Sequence, residues 1–195
     1  LGSEALAKTL QVRTDGKSNL IHVSLANNRL NDHSLSIILK GVCKSETLQS
    51  INMSGNQFGK VSSSLLEQIL VTGEPFSSTA SNDITPVELA SPGSSVSNLR
   101  SSTVLTRLSL SWCGLTLRHL GWLCSGISKT QNLLHLDLSR NNFGSTLGNV
   151  HEEGYGSIED LSVSIVQGNS IIDVDLSYNS MNDNDGILLL SILLP

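Results

Sequence analysis

Aromatic residues make up only 4% of this 195-residue chain, prolines number four, and cysteine occurs three times. Each scarcity excludes something. With 38% hydrophobic residues and so few rings, the core must be aliphatic. Cys43, Cys113 and Cys124 are odd in number and sit inside apolar patterns, which predicts buried reduced thiols in an intracellular protein rather than a disulfide framework. Twelve Lys plus Arg against seventeen Asp plus Glu give a net charge of −5, with no basic run to grip phosphates, so nucleic acid is not an expected partner. Long hydrophobic runs are also missing. The C-terminal "GILLLSILLP" is about ten residues, too short to span a bilayer, and the N-terminal "LGSEALAKTL" has neither a basic n-region nor an apolar h-region, so no signal peptide and no membrane partner are expected. "GNQFGK" lacks the spacing of a phosphate loop, and no other cofactor pattern stands out. The one sequon, Asn52-Met53-Ser54, falls within an expected strand and reads as accidental.

Leucine is abundant, and it recurs. "LLHLDLSRNNF" (Leu133 to Phe143) fits L-x-x-L-x-L-x-x-N-x-L, as do "LIHVSLANNRL" (Leu20 to Leu30), "LQSINMSGNQF" (Leu48 to Phe58), "LTRLSLSWCGL" (Leu105 to Leu115) and "IIDVDLSYNSM" (Ile171 to Met181). The starts at 20 and 48 differ by 28, as do those at 105 and 133, within the roughly 20–29-residue period of a strand–turn–helix repeat. From 48 to 105 is 57, which leaves two readings: a degraded copy at "ITPVELASP" (Ile84, Val87, Leu89) or one long insertion. From 133 to 171 is 38, a period plus about ten residues.

Between copies the spacing turns helical. Leu35, Ile38, Leu39 and Val42 fall at i, i+3, i+4 and i+7, and Leu120, Leu123, Cys124 and Ile127 repeat the set. Leu66, Ile69 and Leu70, then Ile158, Leu161 and Ile165, give the same face. A strand–turn–helix unit cannot bury its apolar edge alone, so the copies must stack, strands parallel on one side and helices on the other. Helices about 10 Å wide against strands about 4.8 Å apart bend the stack with the strands inside. The expected fold is therefore α/β, a curved solenoid of one domain over residues 1–195, with insertions near 73–102 and 144–157. Because it opens and closes in helix patterns, it is expected to be a piece of a longer chain. The asparagine also has a reason: where the chain turns off the strand, backbone groups lose their ladder partners, and a buried amide can supply donors and an acceptor. Asn28, Asn56, Asn141 and Asn179 hold that position, and Cys113 replaces it once.

Through these five copies the chain resembles the ribonuclease-inhibitor-type leucine-rich repeat, the intracellular class with full α-helices. No G-x-I-P follows the asparagine, as in plant receptors, and no paired-cysteine caps are present, as in extracellular members. The resemblance implies a protein-binding scaffold.

Strand alternation points the residues flanking the middle leucines into the bowl, where polarity changes from small and neutral in the first copies to charged and aromatic in the last. The expected partner-binding set is Arg107, Trp112, His135, Asp137, Arg140, Asp173, Asp175 and Tyr178, with the acidic end steering a basic segment. Catalysis is not expected, although Asp137, Asp173 and Asp175 with His135 have the residue types of a general acid/base set, because an open strand face excludes little water. No metal, cofactor or small-molecule substrate is expected. Thr85-Pro86 and Ser91-Pro92 are of the proline-directed kinase type, and 144–156 would extend the rim beside Arg140. The function read from the sequence is a non-enzymatic scaffold in a larger cytoplasmic assembly, of cytoskeletal or ciliary kind. Its rivals are a small-GTPase-activating regulator and the sensor arm of an intracellular immune receptor.

Overall fold

A computed structural model describes residues 2–10, 20–72, 104–144 and 156–194. Helix α1 (Gly2–Leu10) precedes five strand–helix units: β1 (His22–Ser24) with α2 (Asp32–Val42), β2 (Ser50–Asn52) with α3 (Lys60–Thr72), β3 (Arg107–Ser109) with α4 (Leu117–Ile127), β4 (His135–Asp137) with α5 (Ile158–Gly168), and β5 (Asp173–Asp175) with α6 (Asp183–Leu193). The strands form one parallel sheet in the order β1-β2-β3-β4-β5. Every motif copy supplies one rung.

The register is strict. His22, Ser50, Arg107, His135 and Asp173 stand side by side, and so do Val23, Ile51, Leu108, Leu136 and Val174. Because β2 pairs directly with β3, the copies at 48–58 and 105–115 are consecutive rungs. The motif considered at 84–89, the Thr85 and Ser91 sites and the 145–155 loop lie outside the described residues.

The apolar positions behave as their spacing predicts. Ile51, Leu108 and Leu136 are buried from the strands, and Met53, Leu110 and Leu138 are buried one step further along. That second column is held by backbone bonds from Leu25 N–H to Asn52 O, Met53 N–H to Ser109 O, Leu110 N–H to Asp137 O and Leu138 N–H to Asp175 O. Leu25 and Leu176 close the column at its two ends and are only partly buried. All fourteen helix positions named above are buried in the same cluster. Consecutive helices come close where a side chain is absent: a Cβ on Gly41 would lie 2.7 Å from Ala7 O of the neighbouring helix.

The asparagine positions form an inter-rung ladder. Asn56 Nδ2 donates to Leu25 O of the preceding rung and to Met53 O and Ser54 O of its own, while its Oδ1 accepts from Leu30 N–H. Asn141 repeats this with Leu110 O, Leu138 O and Ser139 O, and its Oδ1 accepts from Cys113 N–H and Leu115 N–H. Cys113 keeps half of the arrangement: its thiol donates to Met53 O and Ser111 O, but at 3.4 and 3.5 Å. Burial pushes that thiol up to about 11, against the facing backbone groups of Asn56 and Gly55 that draw it down. Two positions depart from the expected buried amide. Asn28 is exposed, because among the described residues no strand precedes β1, and its Nδ2 donates only to Leu25 O and Ala26 O. Asn179 is buried and donates normally, yet among the described residues its Oδ1 accepts no hydrogen bond. There Gly144 N–H turns instead to the backbone carbonyl of Asn179.

Candidate interaction surface

Each chain segment leaves its strand through a turn whose last residue, just before the ladder position, is left-handed. Asn27 (φ 60°), Gly55 (68°), Trp112 (55°), Arg140 (55°) and Tyr178 (56°) occupy it in the five rungs. Adjacent rungs clamp it: Asn27 N–H donates to Ser54 O, Gly55 N–H to Ser111 O, Trp112 N–H to Ser139 O and Arg140 N–H to Ser177 O. Glycine takes this conformation freely and asparagine tolerates it, whereas a bulky side chain there costs about 1–2 kcal/mol. The first two rungs use Asn and Gly; the last three use Trp, Arg and Tyr. The price is not repaid by burial, since Trp112 is 69% exposed and Tyr178 74%. Arg140 is exposed too, its guanidinium carbon 4.8 Å from the centroid of the Tyr178 ring, within cation–π range.

Below this rim the strand register builds rows across β3, β4 and β5. The first is Arg107, His135, Asp173 and the second Ser109, Asp137, Asp175. His135 Nδ1 lies 3.1 Å from Asp173 Oδ2. Asp137 is saturated by neighbours: Ser109 Oγ donates to Oδ2 at 2.7 Å, and the N–H and Oγ of Ser139 both donate to Oδ1. Serine hydroxyls extend the chain, Ser54 to Ser109 at 2.7 Å and Ser111 to Ser139 at 2.8 Å. Asp175 and Asp173 are exposed, and Asp175 Oδ1 accepts only from Ser177 N–H among the described residues. These side chains line a shallow hollow of about 240 Å³.

The structure therefore gathers all eight residues singled out from the sequence: Arg107, His135, Asp137, Asp173 and Asp175 line the hollow, and Trp112, Arg140 and Tyr178 form the row above it. Two serines outside that set belong to the site as well: Ser109 and Ser139 position Asp137, and Ser139 is buried at 6%. The 28-residue offset that sets Ser109 opposite Asp137 was the available signal. A larger hollow, about 500 Å³, lies on the helical side between α4 and α5, bordered by Trp122, Glu159, Asp160 and Val163. It lacks the strained aromatic display of the strand side. Among the described residues no group of three His, Cys, Asp or Glu side chains converges as metal ligands, and no helix is long and apolar enough to cross a membrane.

A stack of parallel strand–turn–helix rungs, stitched by an amide at each turn, with its strand face open, is the architecture of a repeat solenoid. The Leucine Rich Repeat family matches the sequence at residues 47–69 and again at 129–146. The two matched segments are leucine-rich repeats, and the five rungs build an α/β leucine-rich repeat solenoid. Solved structures similar to it include the tropomodulin C-terminal domain of Caenorhabditis elegans (10% identity, TM-score 0.44, covering 98% of this chain and 75% of that one) and an internalin C2 of Listeria monocytogenes (14% identity, TM-score 0.42, 97% and 69%). A leucine-rich repeat protein of Leptospira interrogans aligns at 14% identity with a TM-score of 0.37, over 95% of this chain and 44% of that one. No curated protein matches the sequence significantly. Leucine-rich repeats in general mediate protein–protein interaction and are non-enzymatic modules.

Proposed function

We propose that this chain is a non-enzymatic scaffold whose protein partner docks on the strand face and rim of β3 to β5, engaging Arg107, Trp112, His135, Asp137, Arg140, Asp173, Asp175 and Tyr178. One observation carries the reading. Three consecutive rungs hold large, exposed side chains of the types that dominate interface energies, in a backbone conformation that disfavours them. Burial in the fold accounts for neither Trp112 nor Tyr178, and a partner is the reason that fits them. We place the repeats in the ribonuclease-inhibitor type, supported by regular helices of 11 to 13 residues on the outer side of four rungs and a fifth of 11. The setting we propose is a cytoplasmic assembly, of cytoskeletal or ciliary kind. Cys43, Cys113 and Cys124 are buried and form no disulfide, which supports a reducing compartment.

The test is photo-cross-linking in the native assembly, with benzoylphenylalanine placed at Trp112, at Tyr178 and, as a control, at Lys129 beyond the end of α4. Protein adducts at the two rim positions and none at the control are expected. Adducts confined to the control position would refute docking on the strand face.

A further inference from the structure

The hollow under the rim is chemically uneven, and the unevenness describes what would fill it. Asp137 has both oxygens occupied by Ser109 and Ser139, and Arg140 is held over Tyr178. Asp173 gives one oxygen to His135, and its side chain stays 70% exposed. Among the described residues the second oxygens of Asp173 and Asp175 accept nothing. Both carboxylates point from the same side of β5, two residues and roughly 7 Å apart. Three carboxylates face the Arg107 guanidinium in the hollow and that of Arg140 in the row above, and the two exposed carboxylates stand together on β5, so the β5 side of the face repels acidic segments and attracts basic ones. Two rungs away stands Trp112, broad, apolar and 69% exposed.

We infer that the occupant is an extended basic peptide segment bearing an apolar or aromatic side chain about five residues from a lysine or arginine. The spacing follows from the register: β3 and β5 are two rungs apart, about 10 Å, and Trp112 lies three to five residues further along than Ser109 and Arg107, the register partners of Asp175 and Asp173, which adds roughly 10–16 Å in the strand direction. The diagonal of about 14–19 Å takes about five residues of extended chain at about 3.3 Å each. Laid diagonally over the strands, the segment sets its apolar side chain on the Trp112 ring and its cation between Asp173 and Asp175. A helix, about 10 Å across, does not enter a hollow of about 240 Å³; an extended chain lies over it. The inference rests on the scaffold reading and narrows it to one partner chemistry.

The experiment uses the whole 195-residue chain and fluorescein-labelled peptides with a Gly/Ser background around Leu-Ser-Ser-Ser-Ser-Arg, read by anisotropy. The comparison peptide carries Leu-Ser-Ser-Ser-Ser-Glu. The arginine peptide is expected to bind at least roughly fivefold tighter than the glutamate peptide, and to weaken several-fold between about 50 and about 300 mM salt. Asp173→Asn with Asp175→Asn is expected to erase the preference, and Trp112→Ala to weaken the arginine peptide by roughly fivefold. All three positions are exposed, and circular dichroism of each variant checks that the fold is kept. Equal binding of the two peptides, or full preference in the double aspartate variant, overturns the inference. A partner that cross-links at Trp112 through an acidic segment overturns it as well, while leaving the scaffold reading standing; absence of any rim cross-link removes that reading first.

Discussion

Trp112 sits where Asn27 and Gly55 sit in earlier rungs, and the backbone there suits them better. Trp112→Asn should therefore raise the stability of the chain by about 0.5–1 kcal/mol while weakening partner capture, a pair of opposite effects that denaturant melts and a pull-down would read together. A loss of stability would mean that the ring packs on the fold after all. Cys113 is the ladder's soft position, with long sulfur bonds and no amide acceptor for the rung before it. Cys113→Asn should add about 1 kcal/mol, whereas Asn141→Ala, which strands three carbonyls and two N–H groups, should cost about 3 kcal/mol or more in the same melts. The identity of the rim residues was legible in the sequence, because alternation and the motif together say which side chains leave the core. Their left-handed backbone was not. Asn27 and Gly55, in two copies out of five, were the local signs of it, and Trp, Arg and Tyr argue against such a conformation wherever tertiary bonds do not impose it. Nor did the motif show that Asp137 would be claimed by Ser109 and Ser139, since that depends on which copies become neighbours.

At the scale of elements, the helices were readable because i, i+3, i+4 spacing demands a buried stripe, and every residue of that stripe is buried. What ties one helix to the next was hidden. Asp32, the first residue of α2, reaches across to α3: its Oδ1 accepts from Gly59 N–H and Ser62 N–H, and its Oδ2 from Val61 N–H. It thus caps a helix 27 to 30 residues downstream, a partnership that only the stacking of rungs creates. Burial works to raise the carboxyl's pKa, but the bonds from Ser62, Val61 and Gly59 together carry it below the free value of 3.8. A folded pKa below the unfolded one means that the stabilisation is complete above the unfolded value and disappears as pH falls through the folded one. Asp32→Ala should accordingly cost about 1–2 kcal/mol at neutral pH, and the gap between variant and parent should close as the pH drops below about 4. A gap that stays constant through acid titration, followed by urea midpoints, would show that the carboxylate is not what matters there.

On the scale of the molecule, the solenoid has an apolar flank. Ile187 (67%), Leu190 (53%) and Leu194 (70%) on and beside α6, with Ile172 (75%) beside β5, are exposed together. The isolated chain should self-associate through this flank, and Ile187→Glu with Leu190→Glu should shift it towards monomer in sedimentation analysis. Persistent association of the double variant would place the contact elsewhere. The overall architecture was legible from five copies of one pattern, because each copy needs its neighbours to cover its apolar edge. The adjacency of the second and third copies was not, since a spacing of 57 suits either a worn repeat or an excursion; hydrogen bonds from Met53 N–H to Ser109 O and from Thr106 N–H to Gln49 O decide it in the structure.

That adjacency offers an engineering handle. α3 ends at Thr72 and the next rung is under way by Val104, with β2 and β3 already side by side, so the spine is continuous whatever intervenes. Closing a longer excursion costs only a few tenths of a kcal/mol for each modest increase in length. A fluorescent reporter or an affinity handle spliced into residues 73–103 should leave the five rungs, and whatever they grip, as they are.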